Sequence, residues 1–96
     1  GVVWGIGAAL REASETDPRY GGFLNADLAE YAIPVNADIG RIDVEFIDEP
    51  DGLLESGVKS LGEVSLCGVA PAIANAVFHA TGRRLRELPI RIEHVM

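Results

Sequence analysis

The chain has 96 residues, of which 48% are hydrophobic and 24% charged, and its formal net charge is −7. A single small domain of this size has a thin core, because it buries only about 60–65% of the surface that its unfolded chain exposes. The negative charge argues against a nucleic-acid partner, since phosphate binding requires clustered Lys and Arg in excess. The longest apolar run, residues 64–78, is interrupted by polar residues and is shorter than the about 20 residues of a membrane span. We therefore expect neither nucleic acid nor membrane as a partner.

The opening segment, GVVWGIGAAL, is apolar from its first residue. Four apolar residues recur at the spacing that marks one face of a helix: Val3, Ile6, Leu10 and Ala13. This pattern predicts a helix over about residues 2–14. The glycines at positions 1, 5 and 7 lower helix propensity by up to about 1 kcal/mol each relative to Ala, so we expect them to permit close packing or the approach of a cofactor. The abrupt apolar start indicates a chain cut from something longer.

Turn and strand patterns occupy the middle of the chain. Residues 16–22 are dense in turn formers and predict a loop or hairpin tip. Short extended pieces are expected at residues 23–24 and 28–35. Residues 41–48, RIDVEFID, alternate apolar with polar side chains, as a half-buried strand does. These segments predict short antiparallel strands.

Residues 58–81 place Glu63 in a loop between glycines and an apolar, alanine-rich segment. Five residues of that segment share one helical face: Leu66, Val69, Ile73, Val77 and Ala80. Pro71 fits a first helical turn, so either the regular helix begins near Gly68 or it is kinked. Gly82 supplies a C-terminal stop, and a last turn is expected at residues 92–95. The lone cysteine, Cys67, has apolar neighbours that predict a buried thiol, and by itself it cannot form an internal disulfide or a metal cluster.

The expected fold class is α+β. It has an N-terminal helix, short antiparallel strands and a second helix after a Gly-Glu loop. Residues 1–96 are expected to form one C-terminal fragment of a larger catalytic domain.

Residue types alone leave two interpretations of Glu63 open. A glutamate before a helix most often serves that helix, because a negative charge at the N-terminus is worth about 0.3–1 kcal/mol. The chain offers no second carboxylate at fixed spacing for glycosidase chemistry and no Ser, His and Asp set that can be placed in one site. Glu63 is therefore either a helix cap or an acid–base group.

Several segments, in order, resemble the C-terminal end of the molybdenum hydroxylase large subunit. That family includes xanthine dehydrogenases and aldehyde oxidoreductases. The resemblance covers nearly the whole chain and rests on five segments: GVVWGIGAAL (1–10), DLAEYAIP (27–34), KSLGE (59–63), VAPAIANAVF (69–78) and RLRELP (84–89). Trp4 departs from the many members that carry glutamine at this position, and it resembles the aldehyde oxidoreductase side of the family.

The resemblance implies that Glu63 is the general base of an oxidoreductase that hydroxylates an aldehyde or N-heterocycle with water as the oxygen source. It implies that Gly62 lets the backbone approach the metal's ligands and that Lys59 bonds nearby or orients the loop. The implied cofactor is molybdopterin carrying molybdenum, held mainly by residues outside this chain and with no metal ligand within it. Iron–sulfur clusters and FAD would lie on other domains or subunits.

The implied partners are the remainder of the large subunit, iron–sulfur and flavin subunits, and a small-molecule substrate. The fragment is expected to be inactive alone. The alternative is a non-catalytic structural or subunit-contact module in which Glu63 caps its helix.

Overall fold

The computed structural model describes residues 1–50 and 52–96. Two α-helices form its regular structure, α1 (Val2–Leu10) and α2 (Leu66–Thr81). Single 3₁₀ turns lie at Asn36–Asp38 and Ile92–His94, the second of which confirms the turn expected near the C-terminus. The described part of the chain is therefore helical.

Both helices of the expected α+β class are present, but its short antiparallel strands are not found among the described residues. Their only β contact is an isolated antiparallel bridge between Thr16 and Phe23. Residues 28–35 and 41–48 adopt no strand. The backbone of residues 41–48 makes no hydrogen bond to another described residue. Alternation of side chains predicts which residues suit a strand, but a strand also requires a neighbour that pairs with its N–H and C=O groups.

The hairpin tip expected at residues 16–22 is present. The backbone N–H of Asp17 donates to the carbonyl of Gly22 over 2.7 Å, and that of Gly21 donates to the carbonyl of Asp17 over 2.8 Å. Gly21 has φ +75°, which favours glycine. The side-chain hydrogen bond from Arg19, followed by its backbone N–H, lowers the pKa of the Asp17 carboxyl. The loop is therefore fixed by local bonds.

α1 packs directly on α2 through glycine. A Cβ placed on Gly5 would lie 2.5 Å from the Cβ of Val69, so the two helices approach as closely as a missing side chain allows. This confirms close packing as the role of Gly5. Of the apolar face predicted for α1, Ile6 and Ala13 are half-buried, but Val3 and Leu10 are 39% and 40% exposed, whereas Ala9 is fully buried. Small residues, rather than large ones, lie inward.

α1 ends at Leu10, four residues earlier than predicted. The backbone N–H groups of Arg11 and Glu12 both donate to the carbonyl of Gly7 over 2.9 Å. Two donors on one carbonyl end the regular i to i−4 ladder, so the chain leaves the helix at this point.

α2 follows its prediction more closely. It starts at Leu66, runs through Pro71 and stops at Gly82, whose φ of +74° and hydrogen bond to the carbonyl of Phe78 close the helix. The predicted apolar face is half-buried except for Ala80, which is exposed. Cys67 is exposed, so its prediction as a buried thiol is wrong. It sits on the side of α2 that α1 does not cover.

The C-terminal segment returns to the end of α1. The backbone N–H of Ile90 donates to the carbonyl of Ala9 over 2.7 Å. Ala9 and Ile90 are the only apolar residues that become buried within the described chain. Arg91 forms an ion pair with Glu15 at 3.4 Å, which ties the same two segments.

The described chain covers little of its own apolar surface. Its accessible surface is 7812 Å², compared with about 5,300 Å² for a folded monomer of this mass. Its radius of gyration is 17.2 Å, compared with about 12–13 Å for a compact domain of this length. Residues 40–50 and 52–64 account for much of the exposed apolar surface, with Phe46, Ile47 and Leu53 more than two-thirds exposed.

The helix contact can be tested with two glycines that differ only in their surroundings. Gly5→Ala should lower the free energy of unfolding by about 1–3 kcal/mol, because its new methyl group overlaps Val69. Gly68→Ala, in α2, meets no atom within 4 Å and should raise stability by up to about 1 kcal/mol. Chemical denaturation followed by circular dichroism measures both. Equal shifts for the two variants would contradict the packing described here.

Tyr31 offers a second test, since its hydroxyl donates to the Glu12 carboxylate over 3.1 Å. This bond, with burial and the negative charge of Glu12 adding to it, raises the pKa of Tyr31 above 10.0. The bond stabilises the fold below pH 10 and is lost as the pH rises through the raised pKa. We expect the stability advantage of the native chain over Tyr31→Phe to shrink above pH 10. An advantage that is independent of pH would exclude the bond as its source.

Candidate functional site

Glu63 lies at the entrance of α2, in a turn formed by residues 62–65. The carbonyl of Glu63 accepts from the backbone N–H of Leu66 over 3.1 Å, which joins the turn to the helix. The Glu63 side chain is exposed and has no hydrogen bond or ion pair with any described residue. Its backbone is held by the turn while its carboxylate is free to accept a proton or a hydrogen bond.

The beginning of α1 abuts this turn. A Cβ placed on Gly1 would overlap the hydroxyl oxygen of Ser65 and would lie 2.9 Å from the carbonyl oxygen of Gly62. Only glycine at position 1 allows this approach without a shift of the turn. The sequence did not identify Gly1 as a neighbour of the Glu63 loop, because the two lie some sixty residues apart in the chain.

The two helices run in the same direction. Gly1 meets Ser65 and Gly5 meets Val69, so a step of four residues along α1 matches a step of four along α2. The N-terminal ends of both helices therefore lie on the side of Glu63. Each end carries a partial positive charge that interacts favourably with a carboxylate or another anion.

The structure provides no side-chain cap for α2. Its N-cap residue is Ser65, with φ −68° and ψ −25°, and neither Ser65 nor Glu63 makes a capping hydrogen bond. No acidic residue lies in the first turn. The interpretation of Glu63 as a helix cap therefore lacks the bond that defines a cap.

Gly62 and Lys59, the other two predicted site residues, are both exposed. A Cβ on Gly62 would meet nothing within 4 Å, so the backbone beside Glu63 is open to another molecule or chain segment. Lys59 has no ion pair or hydrogen bond with a described residue. The structure thus places Gly62 directly at the turn but does not link Lys59 to the Glu63 carboxylate.

Two open grooves border the turn. One, of about 500 Å³, is lined by the start of α1, by residues 42–46 and by Leu61, Val64 and Ser65. The other, of about 690 Å³, is lined by residues 46–50, 56–57, 59–61 and Val64. Phe46, Leu61 and Val64 line both, and each is more than 60% exposed. Sequence reasoning missed these three residues as neighbours of the Glu63 loop. The sequence could have indicated them only through their apolar side chains, which belonged to no predicted core.

The described residues contain no group of three or more His, Cys, Asp or Glu side chains that could hold a metal ion. No helix among them is long and apolar enough to cross a membrane.

Comparison with known proteins places the chain among molybdenum enzymes. It is 46% identical over 96 residues to the aldehyde oxidoreductase molybdenum-binding subunit PaoC of Escherichia coli, matching 99% of this chain and 13% of that protein. It is 37% identical over 90 residues to the putative xanthine dehydrogenase molybdenum-binding subunit XdhA of Escherichia coli, with 94% and 12% covered. It is 33% identical over 99 residues to the nicotine 6-hydroxylase large subunit of Paenarthrobacter nicotinovorans, with 100% and 12% covered. No family model matches the chain.

These similarities define the chain as homologous to part of a molybdenum-binding oxidoreductase subunit. The family resemblance seen in the sequence is confirmed: residues 1–96 correspond to a segment of the molybdenum hydroxylase large subunit of the aldehyde oxidoreductase and xanthine dehydrogenase type. The chain spans about one-eighth of the length of these relatives.

The absence of a side-chain cap predicts that the turn tolerates substitution. Ser65→Ala and Glu63→Gln should each change the free energy of unfolding by less than about 0.5 kcal/mol, the range of surface changes that break no bond. A lost N-cap costs about 1 kcal/mol or more. Denaturation of the two variants measures this difference, and a loss above 1 kcal/mol for either would show that α2 depends on a cap.

Proposed function

We propose that this chain supplies the catalytic base of a molybdopterin-dependent oxidoreductase that hydroxylates an aldehyde or N-heterocycle with water as the oxygen source. The observation that carries the proposal is the free, exposed carboxylate of Glu63 at the entrance of α2, in a chain homologous along its length to molybdenum-binding subunits. A general base must be able to reach the proton that it abstracts, and no described residue forms a hydrogen bond or ion pair with the Glu63 carboxylate.

Glu63 acts on the oxygen nucleophile. Hydroxylation replaces a C–H bond of the substrate with C–OH, consumes one water and releases two protons and two electrons. The cofactor, when bound, supplies the two-electron oxidation. Glu63 accepts the proton of the attacking oxygen. Proton transfer of this kind contributes typically about 10²–10⁴-fold to a rate.

The residues around Glu63 fit a large cofactor that brings its own metal ligands. Gly62 leaves the backbone open, and the apolar side chains of Phe46, Leu61 and Val64 line both grooves beside it. Gly62 would allow the cofactor close to the turn. Lys59, exposed and without a described partner, would orient the loop or donate a hydrogen bond to an anionic group of the cofactor.

An aldehyde is the favoured substrate class. Trp4, at 55% exposure on α1, matches the aldehyde oxidoreductase side of the family in the sequence. Identity is also higher to the aldehyde oxidoreductase subunit than to the xanthine dehydrogenase and nicotine hydroxylase subunits described above. An N-heterocycle is the second class, since xanthine and nicotine are both N-heterocycles.

The complete enzyme requires further parts. The remainder of the large subunit would hold most of the molybdopterin, and iron–sulfur and flavin groups on other domains or subunits would carry electrons away from the site. The 96-residue chain should therefore be inactive alone. Its own role is to fix Glu63 through the α1–α2 contact.

A second candidate function is a structural or subunit-contact module. The large exposed apolar surface favours it, because such surface marks contact with other polypeptide. This function is compatible with catalysis by Glu63 but does not need it. Substitution of Glu63 separates the two.

In the complete enzyme, Glu63→Gln should lower turnover by at least about 10²-fold while molybdenum content stays near that of the native protein, because the amide keeps the shape and loses the basicity. Glu55→Gln, an exposed carboxylate of the preceding loop, serves as a matched control and should retain activity. Steady-state assay with an aldehyde and metal analysis are the measurements. Retained turnover in Glu63→Gln would leave only the structural function.

The isolated 96-residue chain should bind no stoichiometric molybdenum, because its described residues offer no metal-binding cluster. Metal analysis after purification from cells that make the cofactor is the test. One equivalent of molybdenum would show that the chain holds the cofactor by itself.

A further inference from the structure

Residues 41–48 carry a complete strand pattern that the described chain leaves unused. Ile42, Val44 and Phe46 are 40%, 69% and 71% exposed, although the sequence predicts them to be the buried face. The side chain of Arg41 donates to the carboxylate of Asp43 over 2.8 Å. A bond between residues two apart requires both side chains on one side of the backbone, as in a strand.

The backbone of this segment is also unpaired. None of its N–H or C=O groups bonds to a described residue. Backbone groups seek partners in folded proteins, and an extended segment with an apolar side most readily finds them by joining a sheet. The segment therefore combines free backbone groups with an apolar face, the two features that strand addition uses.

We infer that residues 41–48 dock as an added strand on an open sheet edge in the part of the large subunit that lies outside residues 1–96. This inference rests on the proposed function only in requiring that the chain is part of such a subunit. Three observations support that occupant. The relatives described above are about eight times longer than the chain, the accessible surface exceeds that of a folded monomer of this mass, and the segment lies beside the Glu63 turn along one groove.

A second copy of the chain is a poorer occupant. Residues 41–49 hold one arginine against four carboxylates: Asp43, Glu45, Asp48 and Glu49. Pairing two such segments would place like charges opposite one another, which destabilises a strand pair. A neutral or basic sheet edge has no such conflict.

The docked strand would also position the catalytic loop. Phe46 lines both grooves with Leu61 and Val64, which flank Gly62 and Glu63 in the chain. Fixing residues 41–48 on a sheet would fix this apolar contact, so that the Glu63 turn is supported by α1 on one side and by the strand on the other.

Amide-resolved hydrogen exchange of the complete large subunit tests this inference. Amides within residues 41–48 should exchange at least about 100-fold more slowly than an unstructured peptide of the same sequence, at every second position for pairing on one side or at every position for pairing on both. Exchange at the unstructured rate throughout residues 41–48, or protection that follows neither of these two patterns, would overturn the inference.

Paired variants add a second readout. Phe46→Asp removes the apolar face and should restore fast exchange over residues 41–48, whereas Glu45→Gln on the opposite face should leave the protection unchanged. Equal effects of both variants would overturn the inference. Because the measurement does not involve turnover, a failure here leaves the role of Glu63 untouched, and a failure of Glu63→Gln to lose activity leaves the strand untouched.

Discussion

The close approach of α1 to α2 at Gly5 and Val69 is the contact on which the described structure depends. It joins two segments that are distant in the chain, and it brings Gly1 against the turn of residues 62–65. Because the helices run in the same direction, their N-terminal ends and Glu63 share one side of the molecule. A larger side chain at position 5 would separate the helices and remove the support of that turn. The position of the Glu63 turn thus depends on the missing side chain of Gly5, in another segment of the chain.

This arrangement exposes the Glu63 carboxylate but offers it no hydrogen-bond donor among the described residues. Some carboxylates elsewhere in the chain are bonded: Asp17 accepts from Arg19, and Asp38 from Arg11 and from the backbone N–H of Val35. Others, such as Glu55, have no bonding partner among the described residues. Glu63 has no such partner among the described residues. An acid held at a defined backbone position yet left unbonded suits a group that exchanges protons with a substrate or cofactor. The chain is homologous to part of molybdenum-binding subunits, and the proposed function gives such a group a role there.

The sequence predicted the local features well. α2, its glycine stop and the hairpin tip at residues 16–22 follow from helical periodicity, Gly82 and turn formers, all of which act over a few neighbours. The prediction of strands was wrong because residues 41–48 have the side-chain alternation of a strand but no pairing partner among the described residues. The prediction placed large residues on the buried face of α1, whereas the contact with Val69 selects glycine. The role of Glu63 stays a prediction from family resemblance, and the contact of Gly1 with Gly62 and Ser65 depends on tertiary structure that periodicity does not report.

The central claim is that Glu63 moves a proton during the oxidation of the substrate, and a single-turnover experiment tests it most directly. Anaerobic mixing of the complete, molybdenum-loaded enzyme with an aldehyde gives the rate at which substrate reduces the enzyme, free of cofactor assembly and later electron transfer. We expect Glu63→Gln to slow this reduction by at least about 10²-fold. Reduction at the native rate by the fully loaded variant would contradict the central claim.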